Sequence, residues 1–148
     1  MDPAARGRGV GRQLKLAQRE RALAAGVAVI RWTADPLSAR ALALYLGGLG
    51  ARITAYAPEL YAPVRADAVP PDDVVIEWPL EGEVRAGSPA ARVEIPLDAS
   101  TLAVGERRRW RFAVRRAMTP VLAGGAIGTD VSLDRADGRA WVLFREAA

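Results

Sequence analysis

A chain of 148 residues with 51% hydrophobic content and a net charge of +4 is long enough to bury one domain-sized core. It contains neither cysteine nor histidine, which excludes disulfides, thiolate nucleophiles, serine–histidine triads and the common zinc sites, so no metal centre is expected. Its longest apolar run, Ala22 to Ile30, falls far short of the ~20 residues of a membrane helix, and no signal peptide precedes it, so the expectation is a cytoplasmic protein without a membrane partner.

In chain order, Val10, Leu14, Ala17, Ala24 and Ala25 recur at helical spacing, which predicts a first helix from Gly9 to Ala25 closed by Gly26 in a left-handed cap. The following VAVIRWTA, Val27 to Ala34, opens apolar on both faces, the pattern of a buried strand in a parallel pair. Asp35 before Pro36 reads as a helix start, with Leu37, Ala41, Leu44 and Tyr45 on one face and a break among Gly47, Gly48 and Gly50. Strands follow over Ala51 to Ala57 and Asp73 to Leu80, separated by a loop holding Pro58, Pro63, Pro70 and Pro71.

From Glu81 to Ala91 the chain turns polar and reads as a linker between residues 1–80 and a C-terminal α/β extension over 92–148. That extension comprises the short strand RVEIPL, a helix from Glu106 to Ala123 and two strands around Asp137-Gly138. In the helix an apolar stripe of Trp110, Val114, Met118, Val121 and Leu122 leaves Arg107, Arg108, Arg111 and Arg115 largely elsewhere. Such an arginine run suits nucleic acid, but its helical periodicity favours a solvated basic face. The four tryptophans, one per segment, fit core anchoring better than a stacking platform. The fold class expected is α/β, as a mixed α+β sheet.

RGRGVG, Arg6 to Gly11, precedes a helix start, where unpaired amides and a partial positive charge favour an anion that glycines allow to approach. It lacks the lysine and Ser/Thr of a P-loop and the spacing of a dinucleotide fingerprint, and a flexible basic terminus would look the same. In the order of elements, however, Arg6-Gly7-Arg8-Gly9-Val10-Gly11 resembles the Q/R-x-x-G-x-G/A signature of the GNAT N-acetyltransferase superfamily. SARALALYLGGLGA, Ser38 to Ala51, is similar to that superfamily's N-x-x-A-x-x-L-Y-x-x-L-G-F segment. WTADPL, VVIEW and WRFAVRRA also resemble elements of a bacterial branch of predicted acetyltransferases.

The resemblance implies a GNAT-like acyl-CoA N-acyltransferase fold and acetyl-CoA as cosubstrate, bound by its pyrophosphate at Arg6, Gly7, Arg8, Gly9, Val10, Gly11 and Arg12, with the pantetheine arm held by splayed strands. It implies direct transfer to a small-molecule or peptide amine, with Tyr45 as the acid that protonates the leaving thiolate. A phenol of pKa about 10 suits that role, and packing on an apolar face explains Tyr45 equally well. Ser38 stands where the superfamily's coenzyme-binding asparagine often stands. Glu77 and Glu59 are the carboxylates within reach of a base's role, each read first as a solvent-facing residue.

The superfamily places several strands and helices before its glycine loop, and here only Met1 to Ala5 precede it. The expectation is therefore the C-terminal portion of a longer acetyltransferase. A misassigned start, a gene fragment, and a short protein completed by another chain or as a homodimer stay open. The runner-up function is a catalytically incomplete coenzyme A binding or interaction module.

Overall fold

The computed structural model describes residues 9–60, 65, 67–82 and 86–148. Helix α1 (Val10–Ala24) is rich in Gln, Leu, Ala, Arg and Glu, all good helix formers. It ends on Gly26 at φ 76°, with the Gly26 amide on the Leu23 carbonyl and the Val27 amide on the Ala22 carbonyl, so the last carbonyls are satisfied by a left-handed closing turn. The remaining elements are β1 (Val29–Ala34), α2 (Ala39–Ala43), β2 (Arg52–Ala57), β3 (Asp73–Pro79), β4 (Ala86–Pro96), α3 (Val104–Ala123), β5 (Ala126–Asp134) and β6 (Arg139–Ala147).

Among the described residues six strands form one antiparallel sheet in the order β1-β3-β2-β5-β6-β4, with three α-helices, so the fold is mixed α+β. Alternation along the strands buries Val74, Ile76 and Trp78 on β3, Val93 and Ile95 on β4, and Ala140, Val142 and Phe144 on β6. Leu37, Leu42 and Leu46 from around α2, and Val114, Met118 and Leu122 from α3, join the same core cluster. The core thus draws on residues to both sides of the 81–91 segment, within which β4 already begins at Ala86. The opposite sheet face is ionic, with Glu77 between Arg31 and Arg52, and Glu94 on Arg139.

Strands β2 and β5 meet at a single register point, Ile53 opposite Gly128, with an irregularity in each strand just beyond it. Glycine suits that close approach, because a Cβ on Gly128 would lie 3.0 Å from the Ile53 Cβ and press on its side chain.

Several sequence expectations are corrected. VAVIRWTA does not enter a parallel pair: β1 is an edge strand antiparallel to β3, and the doubly apolar opening arises because Val27 and Ala28 precede the strand and are exposed. Of the α1 face, Leu14 is 62% exposed and Ala17, Ala24 and Ala25 are exposed too, while Lys15, Leu16, Arg19, Ala22 and Leu23 turn inward. The helix's rotation follows Ala22 and Leu23 against the core, Arg19 on Leu80 and Lys15 on Trp32.

Asp35 caps a turn rather than a helix, its Oδ1 accepting from the Leu37 amide at 2.8 Å, and α2 starts three residues later behind Ser38. A π turn over Leu44–Gly48 then widens the helix and shifts its buried positions to Leu42 and Leu46, in place of Ala41, Leu44 and Tyr45. Arg111, expected off the apolar stripe, is 6% exposed and lies on it. Trp141, expected as a core anchor, alternates to the ionic face between the Arg92 and Arg139 guanidinia.

Arg111 is inside because two aspartates receive it and its neighbour. The side chain of Asp72 is fully buried and accepts from Arg115 Nε at 2.8 Å and Nη2 at 2.6 Å, the Tyr56 hydroxyl at 2.7 Å and the Glu59 amide at 2.9 Å. Arg111 Nη1 donates to Asp35 Oδ1 at 2.6 Å and to the Asp72 carbonyl at 3.3 Å. Burial alone would raise the Asp72 carboxyl, but the donors Arg115, Tyr56 and the Glu59 amide outweigh it and hold the group below the ordinary aspartate value. Burial, followed by the bond to Asp72, pushes the Tyr56 phenol upward.

Asp72→Ala is expected to cost about 3 kcal/mol in urea unfolding, because it strands a largely buried guanidinium. The Asp72 contribution is fully present above the ordinary aspartate value of about 4 and is lost as pH falls through the lower folded value, so Asp72→Asn should flatten the acid limb of stability against pH. An unchanged acid limb in that variant would show that Asp72 is not what the fold titrates through.

Candidate functional site

Gly9 precedes α1 at φ 71°, a left-handed conformation suited to glycine, and an added Cβ would meet nothing within 4 Å. Among the described residues no side chain caps the first turn and no acid stands in it, which favours a partial positive charge at the amide end of α1. Gly9 and Arg12 are exposed, and Val10 and Gly11 half-buried. Arg6, Gly7 and Arg8, expected to share in anion binding, lie outside the described residues.

One turn further, the Lys15 ammonium stands 3.8 Å over the Trp32 ring and 5.8 Å from the centre of the Tyr45 ring. Tyr45 meets Trp32 edge-on, centroids 5.2 Å apart, and Trp78 meets it from the core at 6.2 Å. The Trp32 Nε1 is buried without a hydrogen-bond partner among the described residues. Burial pushes the Lys15 ammonium below the ordinary lysine value, while the face of Trp32 attracts the charged form, so the two effects oppose each other. Arg19 completes the attachment of α1, its Nη2 donating to the Leu80 carbonyl at 2.7 Å and its Nε at 3.1 Å.

The tertiary structure therefore brings Tyr45, from the second motif, against α1, from the first. The Ser38 Oγ accepts from the Ala41 amide at 3.4 Å as the cap of α2. Glu77 is held below the ordinary glutamate value, first by its bonds from Arg52 and also by Arg31, so it is engaged rather than poised as a base. Glu59 is exposed, and its backbone at φ 48° delivers an amide to Asp72. Two of the α3 arginines are committed to Asp35 and Asp72, while Arg108 and Arg115 flank the Phe112 ring.

A crevice of about 540 Å³ adjoins the attachment of α1, lined by Arg19 and Leu80 together with Gly50, Asp130 and Arg145. Among the described residues no group of three or more acidic side chains is placed to hold a metal ion, and no helix is long and apolar enough to cross a membrane. The sequence reading missed Lys15 and Asp72. Lys15 carried a signal, as the single lysine among 21 basic residues, whereas Asp72 in PPDDVV carried none.

No protein-family model, curated protein or solved structure matches the chain.

Because α1 contributes no fully buried residue, Arg19→Ala, which removes both bonds to Leu80, should speed amide exchange along α1 about fivefold while leaving α3 unchanged. Equal acceleration in both helices would mean that α1 opens only with the whole fold.

Proposed function

We propose that the chain is the coenzyme-binding portion of a GNAT-type N-acetyltransferase, which uses acetyl-CoA and transfers the acetyl group directly to an amine. The observation that carries this reading is the juxtaposition of Tyr45 with α1 through Trp32 and Lys15. Tyr45, within the second resembling stretch, and Lys15, one turn into the helix that follows the first, are thirty residues apart in sequence yet meet on Trp32.

The described residues suit a diphosphate. Among the described residues a Cβ on Gly9 would meet nothing within 4 Å and the first-turn amides have no side-chain competitor, and Arg12 adds an exposed guanidinium. Bound there, acetyl-CoA supplies the activated acyl carbon. The Tyr45 hydroxyl is the proton donor for the leaving sulfur, and the Trp32 ring, itself backed by Trp78, meets the phenol ring edge-on. The acceptor amine attacks directly, since the chain has no cysteine to carry the acyl group.

A second reading, a catalytically incomplete coenzyme A binding or interaction module, is favoured by one specific observation. Strand β1 is the edge of the sheet and pairs on one side only among the described residues, next to a helix whose Leu14 is exposed. A strand added there by another chain or a second copy would cover both features.

Calorimetry distinguishes these readings. Coenzyme A should bind about tenfold tighter than pantetheine, which lacks the diphosphate, and Gly9→Val, which strains the left-handed entry, should remove that advantage. Tyr45→Phe should leave coenzyme A affinity unchanged and lower acetyl transfer about 100-fold. Tight binding without turnover would favour the module, and equal affinity for coenzyme A and pantetheine would overturn both.

A further inference from the structure

The chain has one side-chain amine. Every other basic residue is arginine, whose guanidinium stays protonated and does not act as a nucleophile at ordinary pH. That amine is not on an open surface. Lys15 is half-buried, its Nζ is seated on the Trp32 ring at 3.8 Å, it bonds Gln18 Oε1 at 3.2 Å, and it faces the Tyr45 ring. It follows Arg12 by one helical turn, about 4.5 Å along the axis.

We propose that Lys15 is itself an acyl acceptor, modified at Nζ by an acyl thioester held beside α1. The neutral amine adds to the thioester carbonyl carbon, forming a carbon–nitrogen bond. The carbon–sulfur bond then breaks, and the sulfur leaves with the electron pair. The nitrogen's surplus proton passes to solvent, and the Tyr45 hydroxyl or water protonates the sulfur, so that amine and thioester become amide and thiol. Partial burial favours the neutral amine that this step requires, and the Trp32 ring holds the nitrogen in place while it is charged.

The product has a consequence for the fold. An acylated Lys15 is neutral, so the attraction to Trp32 is lost and α1 keeps only Arg19 and its apolar contacts. Acylation at Lys15 thus loosens the helix whose tip forms the proposed anion seat. The inference rests on the proposed function only for the identity of the acyl donor.

The test incubates the intact chain with acetyl-CoA and, in parallel, with S-acetyl-N-acetylcysteamine, a thioester without a diphosphate. The urea-unfolded chain serves as reference, with peptide mapping to separate Lys15 from the α-amine. The expected result is acetylation of folded Lys15 at least about tenfold faster than in the unfolded chain. Lys15→Arg, which keeps the charge and the fold, should abolish it. A faster reaction with acetyl-CoA than with the short thioester supports both Lys15 and the diphosphate seat. Equal rates from the two donors, still above the unfolded rate, support Lys15 and reject the seat. A folded rate at or below the unfolded rate from both donors overturns the proposal, whatever coenzyme A affinity calorimetry records.

Discussion

Asp72 is a carboxylate that water does not reach, and much of the architecture is arranged around satisfying it. Its four donors come from α3, from β2 and from the backbone after β2, so one side chain joins the long C-terminal helix to the strands of the first half. A buried charge is tolerable only when so many hydrogen bonds converge on it, and that requirement selects one placement of α3 over the rotations that the apolar stripe alone would permit. Arg111 extends the same logic to Asp35 and thereby reaches the turn after β1. The helix is consequently registered by charge as well as by Val114, Met118 and Leu122.

The helix that packs on β1 and the far end of β3 is held very differently. Helix α1 has no fully buried residue and is fastened by a cation over an indole, a guanidinium on a carbonyl and a few apolar contacts. Interactions of this kind contribute around 1 kcal/mol each, so α1 is the natural place for local opening. The proposed anion seat lies at the tip of this helix, and the proposed acid, Tyr45, touches its side. A ligand that binds the tip would therefore stabilise α1 at the point where the fold itself holds it least, coupling occupancy of the site to order in its wall.

Arginine dominates the basic residues, and the structure shows how many are used internally. Arg19, Arg31, Arg52, Arg111, Arg115 and Arg139 all bond protein oxygens, mostly carboxylates, and Arg19, Arg52, Arg115 and Arg139 do so through two nitrogens, a fork that lysine cannot reproduce. The net positive charge is thus in large part the residue of a structural choice. In such a chain a solitary lysine, placed on an aromatic ring, is chemically distinct from its surroundings.

Local rules were sufficient for much of this protein. Helix-forming residues closed by Gly26, the β-branched runs of β1 and β3, and the Asp137-Gly138 turn between β5 and β6 were readable because the interactions that create them lie within a few residues. What the sequence could not determine depended on partners distant in the chain. The direction of β1 depended on β3, some forty residues later, and the rotation of α1 on where Leu80 and Trp32 would stand. The burial of Arg111 depended on aspartates 76 and 39 positions away. Lys15 on the first helix and Tyr45 after the second could each be placed on an element, but their meeting at Trp32 was decided by tertiary packing, because periodicity specifies which face of an element is apolar and not which neighbour will cover it.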